Sequence, residues 1–161
     1  MQRHLLALAA VLGVVLPPVS GNAQRADLRR LVIGTWELDV AKSTFRPGPP
    51  PKSWTRVYEA SGENVKYTDS TVAADGKVDV SGWTGTYDGK DYPAPGSPDF
   101  DAQAVKASNP FRATFTLKKA GKVVGSGTRV ISRDGKVMTI RIKLTNAKGQ
   151  TFNNVRVFEK R

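Results

Sequence analysis

The chain has 161 residues, with 25 lysines and arginines against 14 aspartates and glutamates, which gives a formal net charge of +11. It contains no cysteine, and its one histidine, His4, lies in an N-terminal segment that we expect to be removed. Without these residues, the mature chain has no Ser-His-Asp triad, cysteine nucleophile, histidine-ligated haem, His or Cys zinc site, or disulfide. We expect no cofactor and no metal site.

Residues 1–23 have the pattern of a secretory signal peptide. Arg3 supplies the basic start, Leu5–Leu16 is an apolar run, and a small-x-small cleavage site ends at Ala23. An uncleaved membrane anchor is the alternative, but the run is well short of the roughly 20 residues needed to cross a bilayer. We therefore expect cleavage after Ala23, a periplasmic or secreted location, and one domain over 24–161 with no transmembrane segment.

Regularly spaced glycines divide the rest of the chain. Intervals of 13 or 14 residues separate most of them, one interval is 32 residues long, and three complete an Asp-Gly pair, which is a strong signal for a tight hairpin turn. This spacing predicts an antiparallel up-and-down meander of eight or nine strands, which leaves no unpaired edge when it closes into a barrel. The turn glycines are Gly62, Gly76, Gly89, Gly121, Gly135 and Gly149.

In chain order, a short helical turn over Leu28–Ile33 leads into the first strand, and a stiff proline-rich connector over 46–51 follows it. The strands are predicted from alternation of apolar and polar residues, which is clearest in the last four. The predicted strands are Gly34–Val40, Ser53–Ala60, Asn64–Ala73, Val78–Tyr87, a short possible strand at Ala102–Ser108, Phe111–Lys118, Val123–Ile131, Met138–Thr145 and Gln150–Glu159.

The longest irregular stretch is Tyr92–Phe100. Long ordered loops in compact domains are often binding rims, so we predict that Tyr92 and Phe100 lie at the mouth of the barrel; a proline-stiffened crossover is the alternative. The acidic residues around this loop are candidate calcium ligands or a carboxylate pair for glycoside chemistry, although such residues usually cap turns. They are Asp88, Asp91, Asp99 and Asp101.

Several aromatic residues of the early strands share a face by two-residue alternation. If that face points inward, they line a cup for a small apolar or aromatic molecule, with Asp69 or Arg56 as a polar contact. The alternative is that they fill the core, because an eight-stranded barrel is only just wide enough for its own side chains. The candidate lumen residues are Trp54, Tyr58, Tyr67, Asp69, Trp83 and Tyr87.

Charge is distributed unevenly along the chain. Residues 24–101 carry 10 basic and 12 acidic residues, whereas 102–161 carry 14 basic and only 2 acidic ones. Because neighbours in a meander are neighbours in space, the second half should form a positive wall that includes Arg141 and Lys143. This wall is a candidate binding surface for an acidic partner, or simply a solvated face.

The opening Gly34-Thr35-Trp36 resembles the signature of lipocalin-like barrels, the calycin superfamily. The resemblance implies that Trp36 closes the base of the barrel and packs against a basic side chain of the last strand. Arg156 or Lys160 can supply that side chain, and we favour Arg156 because it lies inside the strand. Gly34, Trp36 and Arg156 are thus expected to be structural.

Two longer segments, Gly34–Ser43 and Asp88–Pro93, resemble a set of uncharacterised secreted bacterial proteins that brings no known activity. The chain also resembles avidins locally, through Gly34-Thr35-Trp36 followed by Ser-Thr-Phe at Ser43–Phe45. The interval between these two segments is, however, one residue longer than in avidins. Such a slip reverses the face of each side chain in a strand, so biotin binding is not carried over.

These patterns favour a monomeric periplasmic or secreted binding protein for a small hydrophobic or amphipathic ligand. The alternative is a basic interaction module that docks on an acidic envelope surface, polymer or protein. An enzyme that uses only carboxylates, Lys or Tyr is a third and less favoured hypothesis. An outer-membrane barrel is disfavoured because strands one to four show no consistent apolar outer band.

Overall fold

A computed structural model of the chain describes residues 28–161; the predicted signal peptide and its cleavage site lie outside this range. One short helix over 28–32 comes first, as predicted, and within 28–161 no helix is long and apolar enough to span a bilayer. Ten strands follow: β1 Gly34–Leu38, β2 Ser53–Ser61, β3 Asn64–Val72, β4 Val78–Gly85, β5 Asp88–Pro93, β6 Ala102–Asn109, β7 Arg112–Lys119, β8 Lys122–Ile131, β9 Val137–Thr145 and β10 Thr151–Lys160.

The strands form one antiparallel sheet in the order β4-β3-β2-β1-β10-β9-β8-β7-β6-β5. All consecutive strands except β4 and β5 are hydrogen-bonded neighbours, and β1 pairs with β10, so the predicted meander rolled into a barrel is confirmed. The strand count exceeds the predicted eight or nine because β5 was not predicted. This strand begins at Asp88, where Asp88-Gly89 was predicted to form a turn. An irregularity in register between Asp88 and Asp91 accommodates this glycine inside the strand.

The barrel is nearly closed rather than fully closed, because the hydrogen-bonded order ends at β4 on one side and β5 on the other. The loop over 94–101 bridges this gap, and the amide of Gly82 in β4 donates to the carbonyl of Pro95 at 3.0 Å. Gly96 has a φ of +88°, and a Cβ there would lie 2.7 Å from Cα of Ser81. Glycine is therefore required where the loop backbone meets the edge of β4.

The helix and Trp36 close one end of the barrel. Nε1 of Trp36 donates to the carbonyl of Val32 at 2.7 Å, and both side chains are fully buried. Nζ of Lys160 donates to the carbonyl of Leu31 at 3.0 Å and lies 5.1 Å from the centre of the Trp36 ring. The preference for Arg156 as the partner of Trp36 is therefore wrong, because the register of β1 against β10 places Lys160 directly opposite Trp36.

The opposite end is open, and we call it the mouth. In an up-and-down meander alternate connections lie at the same end, so the mouth is formed by the connections β1–β2, β3–β4, β5–β6, β7–β8 and β9–β10. Alternation sets the two faces of the wall: Ile140 and Ile142 of β9 point inward, while Arg141 and Lys143 are exposed on the outer face.

Candidate ligand-binding lumen

A cavity of about 280 Å³ occupies the barrel between the closed end and the mouth. Four of the six predicted lumen residues line it, namely Trp54, Tyr58, Tyr67 and Asp69, all on β2 and β3. Arg56 lies between two of them, because residues 54, 56 and 58 share the inward face of β2. The interior is thus only partly filled by its own side chains.

The other two predicted lumen residues, Trp83 and Tyr87, are buried in the core outside the cavity lining. The Trp83 ring stacks between those of Tyr67 and Tyr87, with centroid distances of 6.0 and 6.2 Å, and its Nε1 donates to the carbonyl of Gln103 at 3.0 Å. Tyr92 packs edge-on against Trp83 at 6.0 Å, so it belongs to the wall and not to the predicted rim. Phe100, by contrast, lines the cavity.

A paired charge lies in the lumen wall. Arg56 and Asp69 are directly opposite each other on β2 and β3, and the guanidinium donates to both carboxylate oxygens, with Nε to Oδ1 at 2.6 Å. The Arg56 guanidinium also lies 4.2 Å from the centre of the Tyr67 ring. Burial alone would lower the pKa of Arg56, but the charge of Asp69 outweighs it and raises that pKa. This pair is internally satisfied.

A second buried arginine, Arg129 of β8, has no carboxylate partner within residues 28–161. Its Nη1 donates to the hydroxyl of Tyr58 at 2.8 Å, while Nε and Nη2 have no hydrogen-bond acceptor in the described part of the chain. Burial would lower its pKa, yet the neighbouring hydroxyls of Tyr58 and Tyr87 outweigh that effect and raise it. Arg129 is therefore a charged group in the lumen wall with unused donors.

A third arginine, Arg156 of β10, lines both the lumen and the mouth. Its guanidinium lies 4.2 Å from the centre of the Trp54 ring, and its buried Nε has no acceptor among the described residues. Burial, followed by repulsion from Arg56, lowers its pKa to about 10. The group is still a cation at neutral pH, and a nearby anion would stabilise it.

Three arginines and three aspartates line the lumen, and Asp69 is the one of these aspartates that is paired with an arginine. Asp69 is already engaged by Arg56, so the charges of Arg129 and Arg156 are not neutralised by it. Two further carboxylates, Asp79 and Asp99, line the cavity from β4 and the β5–β6 loop. Asp79 is itself paired with Lys77 at 2.8 Å. An unneutralised positive charge remains deep in the barrel.

Apolar side chains of β6, β7 and β9 also line the cavity. Because β9 lies between β8 and β10 in the sheet, these apolar groups stand beside and between Arg129 and Arg156. The apolar lining residues are Val105, Phe115, Leu117, Ile140, Ile142 and Leu144.

At the mouth the lumen continues into a second, wider cavity of about 520 Å³. Trp54 and Arg156 line both cavities, and Phe45, Pro51 and Phe152 form an apolar rim around the outer one. An elongated molecule thus has a continuous path from the rim to Arg129.

The chain matches no protein-family model, and no curated protein is similar to it in sequence. Among solved structures, Rv2717c from M. tuberculosis is similar, with a TM-score of 0.50 and 14% identity over 84% of this chain and 97% of that one. This chain has a calycin-like β-barrel fold.

Two other similar structures have lower scores. Zebrafish ileal bile acid-binding protein, solved in complex with cholic acid, has a TM-score of 0.48 and 17% identity over 81% of this chain and 99% of that one. The siderocalin Ex-FABP has a TM-score of 0.39 and 11% identity over 81% of this chain and 74% of that one.

The four acidic residues around the β5–β6 loop of this calycin-like barrel do not converge. Asp88 accepts from the Lys90 amide at 2.9 Å and the Tyr92 hydroxyl at 3.1 Å, which lowers its pKa against the raising effect of desolvation. Asp91 pairs with a lysine of β7, and Asp101 caps the β7–β8 turn. In residues 28–161 no group of three or more acidic or histidine side chains has the geometry to hold a metal ion.

Sequence reasoning missed Arg129 and Gln103. Gln103 lines the lumen, and its Oε1 accepts from the Tyr67 hydroxyl at 2.7 Å. A signal for Arg129 was present: residues 125, 127, 129 and 131 share one face of β8, and Ile131 marks that face as the core side. An arginine in that series is an inward-facing charge.

Proposed function

We propose that the protein binds a small amphipathic molecule with an acidic group, whose charged end lies against Arg129 and Arg156 in the lumen. The observation that carries this proposal is two lumen arginines, Arg129 buried and Arg156 half-buried, with buried donor atoms that no described residue satisfies, beside apolar lining residues. A buried unpaired charge is costly, and this cost is offset when an anion binds there.

The chemistry of the two arginines suits a carboxylate, sulfonate or phosphate group. A guanidinium remains charged under all ordinary conditions and presents its donors in a planar fork that matches such oxyanions. The hydroxyl of Tyr58 accepts from Arg129 and Arg56, which leaves its own O–H as a further donor. An anion at this point receives charge-assisted hydrogen bonds in a nonpolar environment, where they are strong.

The size of the lumen supports a small ligand. Its volume is near the lower end of the roughly 300–1,000 Å³ that is typical of ligand sites. The wider outer cavity extends the available space towards Phe45 and Phe152. A medium-length alkyl chain or a compact ring system with one acidic group fits this division between a charged interior and an apolar exit.

The test is calorimetric titration of the delipidated protein with decanoate and with decanol. We expect the carboxylate to bind more tightly, and we expect Arg129→Met/Arg156→Met to weaken decanoate binding by about thirtyfold or more, as for the loss of charge-assisted bonds worth roughly 2 kcal/mol. Arg141→Met/Lys143→Met removes the same charge from the outer face and should leave the affinity unchanged. Equal binding of acid and alcohol, or unchanged affinity in the lumen variant, would overturn the proposal.

We also propose that the protein is an exported binding protein without catalytic activity. The support is the sequence of residues 1–23, together with a lumen that, among the described residues, is lined by no histidine or cysteine. N-terminal sequencing of the protein from the periplasm or medium should begin at Gln24. A product that keeps Met1 and stays in the cytoplasm would contradict export.

A further inference from the structure

We propose that the mouth of the barrel docks on an anionic lipid surface, through an apolar rim and an adjoining basic face. This inference goes beyond lumen binding and does not depend on it. The protein would act at the bilayer interface while all of its strands remain outside the hydrocarbon layer.

Apolar groups are concentrated at the mouth. Phe45, Pro49 and Phe152 surround the outer cavity there. In addition, Val78 is 60% exposed and Val123 is 64% exposed, and each lies near the mouth end of its strand, next to the β3–β4 and β7–β8 turns. Exposed aliphatic and aromatic groups grouped at one end of a molecule are typical of an interaction surface.

A basic face adjoins this rim on the outside of β7–β10. A shallow depression in the wall there is lined by Arg46, Arg112, Arg141 and Lys143, together with uncharged hydroxyl and amide groups. All four side chains are exposed, and none has an ion-pair partner among residues 28–161. Their positive charge is thus available to an external anion.

The rim and the basic face are parts of one surface. Phe45 and Arg46 are adjacent in the chain, as are Phe152 and Asn153, and the amide of Asn153 donates to the carbonyl of Arg46 at 2.7 Å. The amide of Arg46 in turn donates to Oδ1 of Asn154 at 3.0 Å. The connector that carries Arg46 is therefore fixed against β10, with a phenylalanine facing the mouth and an arginine facing the outer wall.

This combination favours lipid over a soluble polyanion. A charged polymer needs cations but no exposed aliphatic groups, whereas a bilayer with acidic headgroups attracts basic residues and accepts apolar side chains beside them. The carboxylates Asp75 and Asp99 also line the outer cavity. The attraction to acidic headgroups therefore comes from the basic face outside β7–β10, and not from the outer cavity itself.

The test is co-sedimentation of the ligand-free protein with phosphatidylcholine vesicles, with and without phosphatidylglycerol, at increasing NaCl. We expect binding only to the anionic vesicles, decreasing as salt rises. Arg141→Glu/Lys143→Glu should weaken binding by at least about tenfold. The matched control Arg133→Glu/Lys136→Glu makes the same charge change in the β8–β9 turn at the closed end and should change binding less than about twofold.

A second variant, Val78→Ser/Val123→Ser, tests the apolar part at exposed positions that do not endanger folding. It should weaken vesicle binding while leaving retention on a heparin column unchanged. If the two charge-reversal variants lose vesicle binding equally, binding depends only on the net charge of the protein and not on this face. That result would overturn the proposal. Tight heparin binding with no vesicle binding would overturn it in favour of a soluble polyanion.

Discussion

Two charged regions of the same barrel interior differ in how their charges are satisfied. In the first, Arg56 and Asp69 form a fork of two hydrogen bonds between neighbouring strands, stacked on Tyr67. In the second, Arg129 and Arg156 stand in the wall with unused donors and no carboxylate partner in the described chain. The first region has the features of a structural element and the second those of a binding site.

This difference shows why burial of charge alone does not identify a function. A paired buried charge is expensive to disturb but offers nothing to a ligand. An unpaired one reduces the stability of the free protein and recovers that energy when an anion binds. The two regions should therefore respond in opposite ways to mutation.

The largest expected effect is in the paired region. Asp69→Asn leaves Arg56 as an uncompensated buried charge and should lower the free energy of unfolding by about 3–5 kcal/mol. Urea denaturation followed by tryptophan fluorescence measures it. The double variant Arg56→Met/Asp69→Leu removes both charges and should recover most of the loss. A loss of less than about 1 kcal/mol for Asp69→Asn would show that the pair is not structural.

The next effect is a loss of stability at alkaline pH that arises from Tyr87, which packs beside Arg129. Burial raises its pKa to about 12, whereas an unfolded tyrosine titrates near 10. Because the pKa of Tyr87 is higher in the folded state than in the unfolded state, the group stabilises the fold fully below pH 10. This contribution, up to about 2.7 kcal/mol, is lost as the pH rises from 10 to 12.

Comparison with Tyr87→Phe isolates this contribution, because other buried groups such as Arg156 titrate in the same interval. The difference in unfolding free energy between wild type and Tyr87→Phe, measured in urea at several pH values, should shrink or reverse as the pH rises through that window. A constant difference from pH 8 to 12 would contradict the burial of the Tyr87 hydroxyl.

A smaller effect is expected at the closed end, where Lys160 contacts Trp36 and the carbonyl of Leu31. Lys160→Met should lower the free energy of unfolding by about 1–2 kcal/mol and leave decanoate binding unchanged. The exposed neighbour Lys136 offers a control, because Lys136→Met should change stability by less than about 0.5 kcal/mol. Equal effects of the two substitutions would mean that Lys160 does not support the base of the barrel.

The smallest effect on stability is expected in the unpaired region. Arg156→Met removes a half-buried charge that has no ion-pair partner among the described residues, so the unfolding free energy should stay within about 1 kcal/mol of wild type or rise, while decanoate binding falls. Thermal and urea unfolding, measured beside calorimetry, separate the two effects. A loss of several kcal/mol without any change in affinity would assign Arg156 to the structure.

The sequence predicted the meander because strand boundaries are local properties. Asp75-Gly76 and Asp134-Gly135 lie in turns as expected, since glycine is needed at positive φ there. Asp88-Gly89 gave the wrong boundary, because a glycine with positive φ also occurs inside an irregular strand. The local signal is the same in the two cases, and only the partner strand distinguishes them.

The site was less predictable because it depends on contacts across the barrel. The aromatic face of β2 and β3 was recognised from alternation, but which rings fill the core and which line the cavity is decided by the register of several strands. The same limit explains the error over Arg156, which contacts Trp54, while Lys160 lies against Trp36. Arg129 is brought to Tyr58 from 71 residues away.

The central claim is that the lumen arginines hold the anionic end of a ligand, and carboxyl-labelled decanoate followed by carbon-13 NMR tests it directly. In the complex, the carboxylate should remain ionised to a lower pH than in free solution, and Arg129→Met/Arg156→Met should abolish that stabilisation. If the bound carboxyl group instead titrates at or above its value in water, it does not lie against these arginines and the claim is wrong.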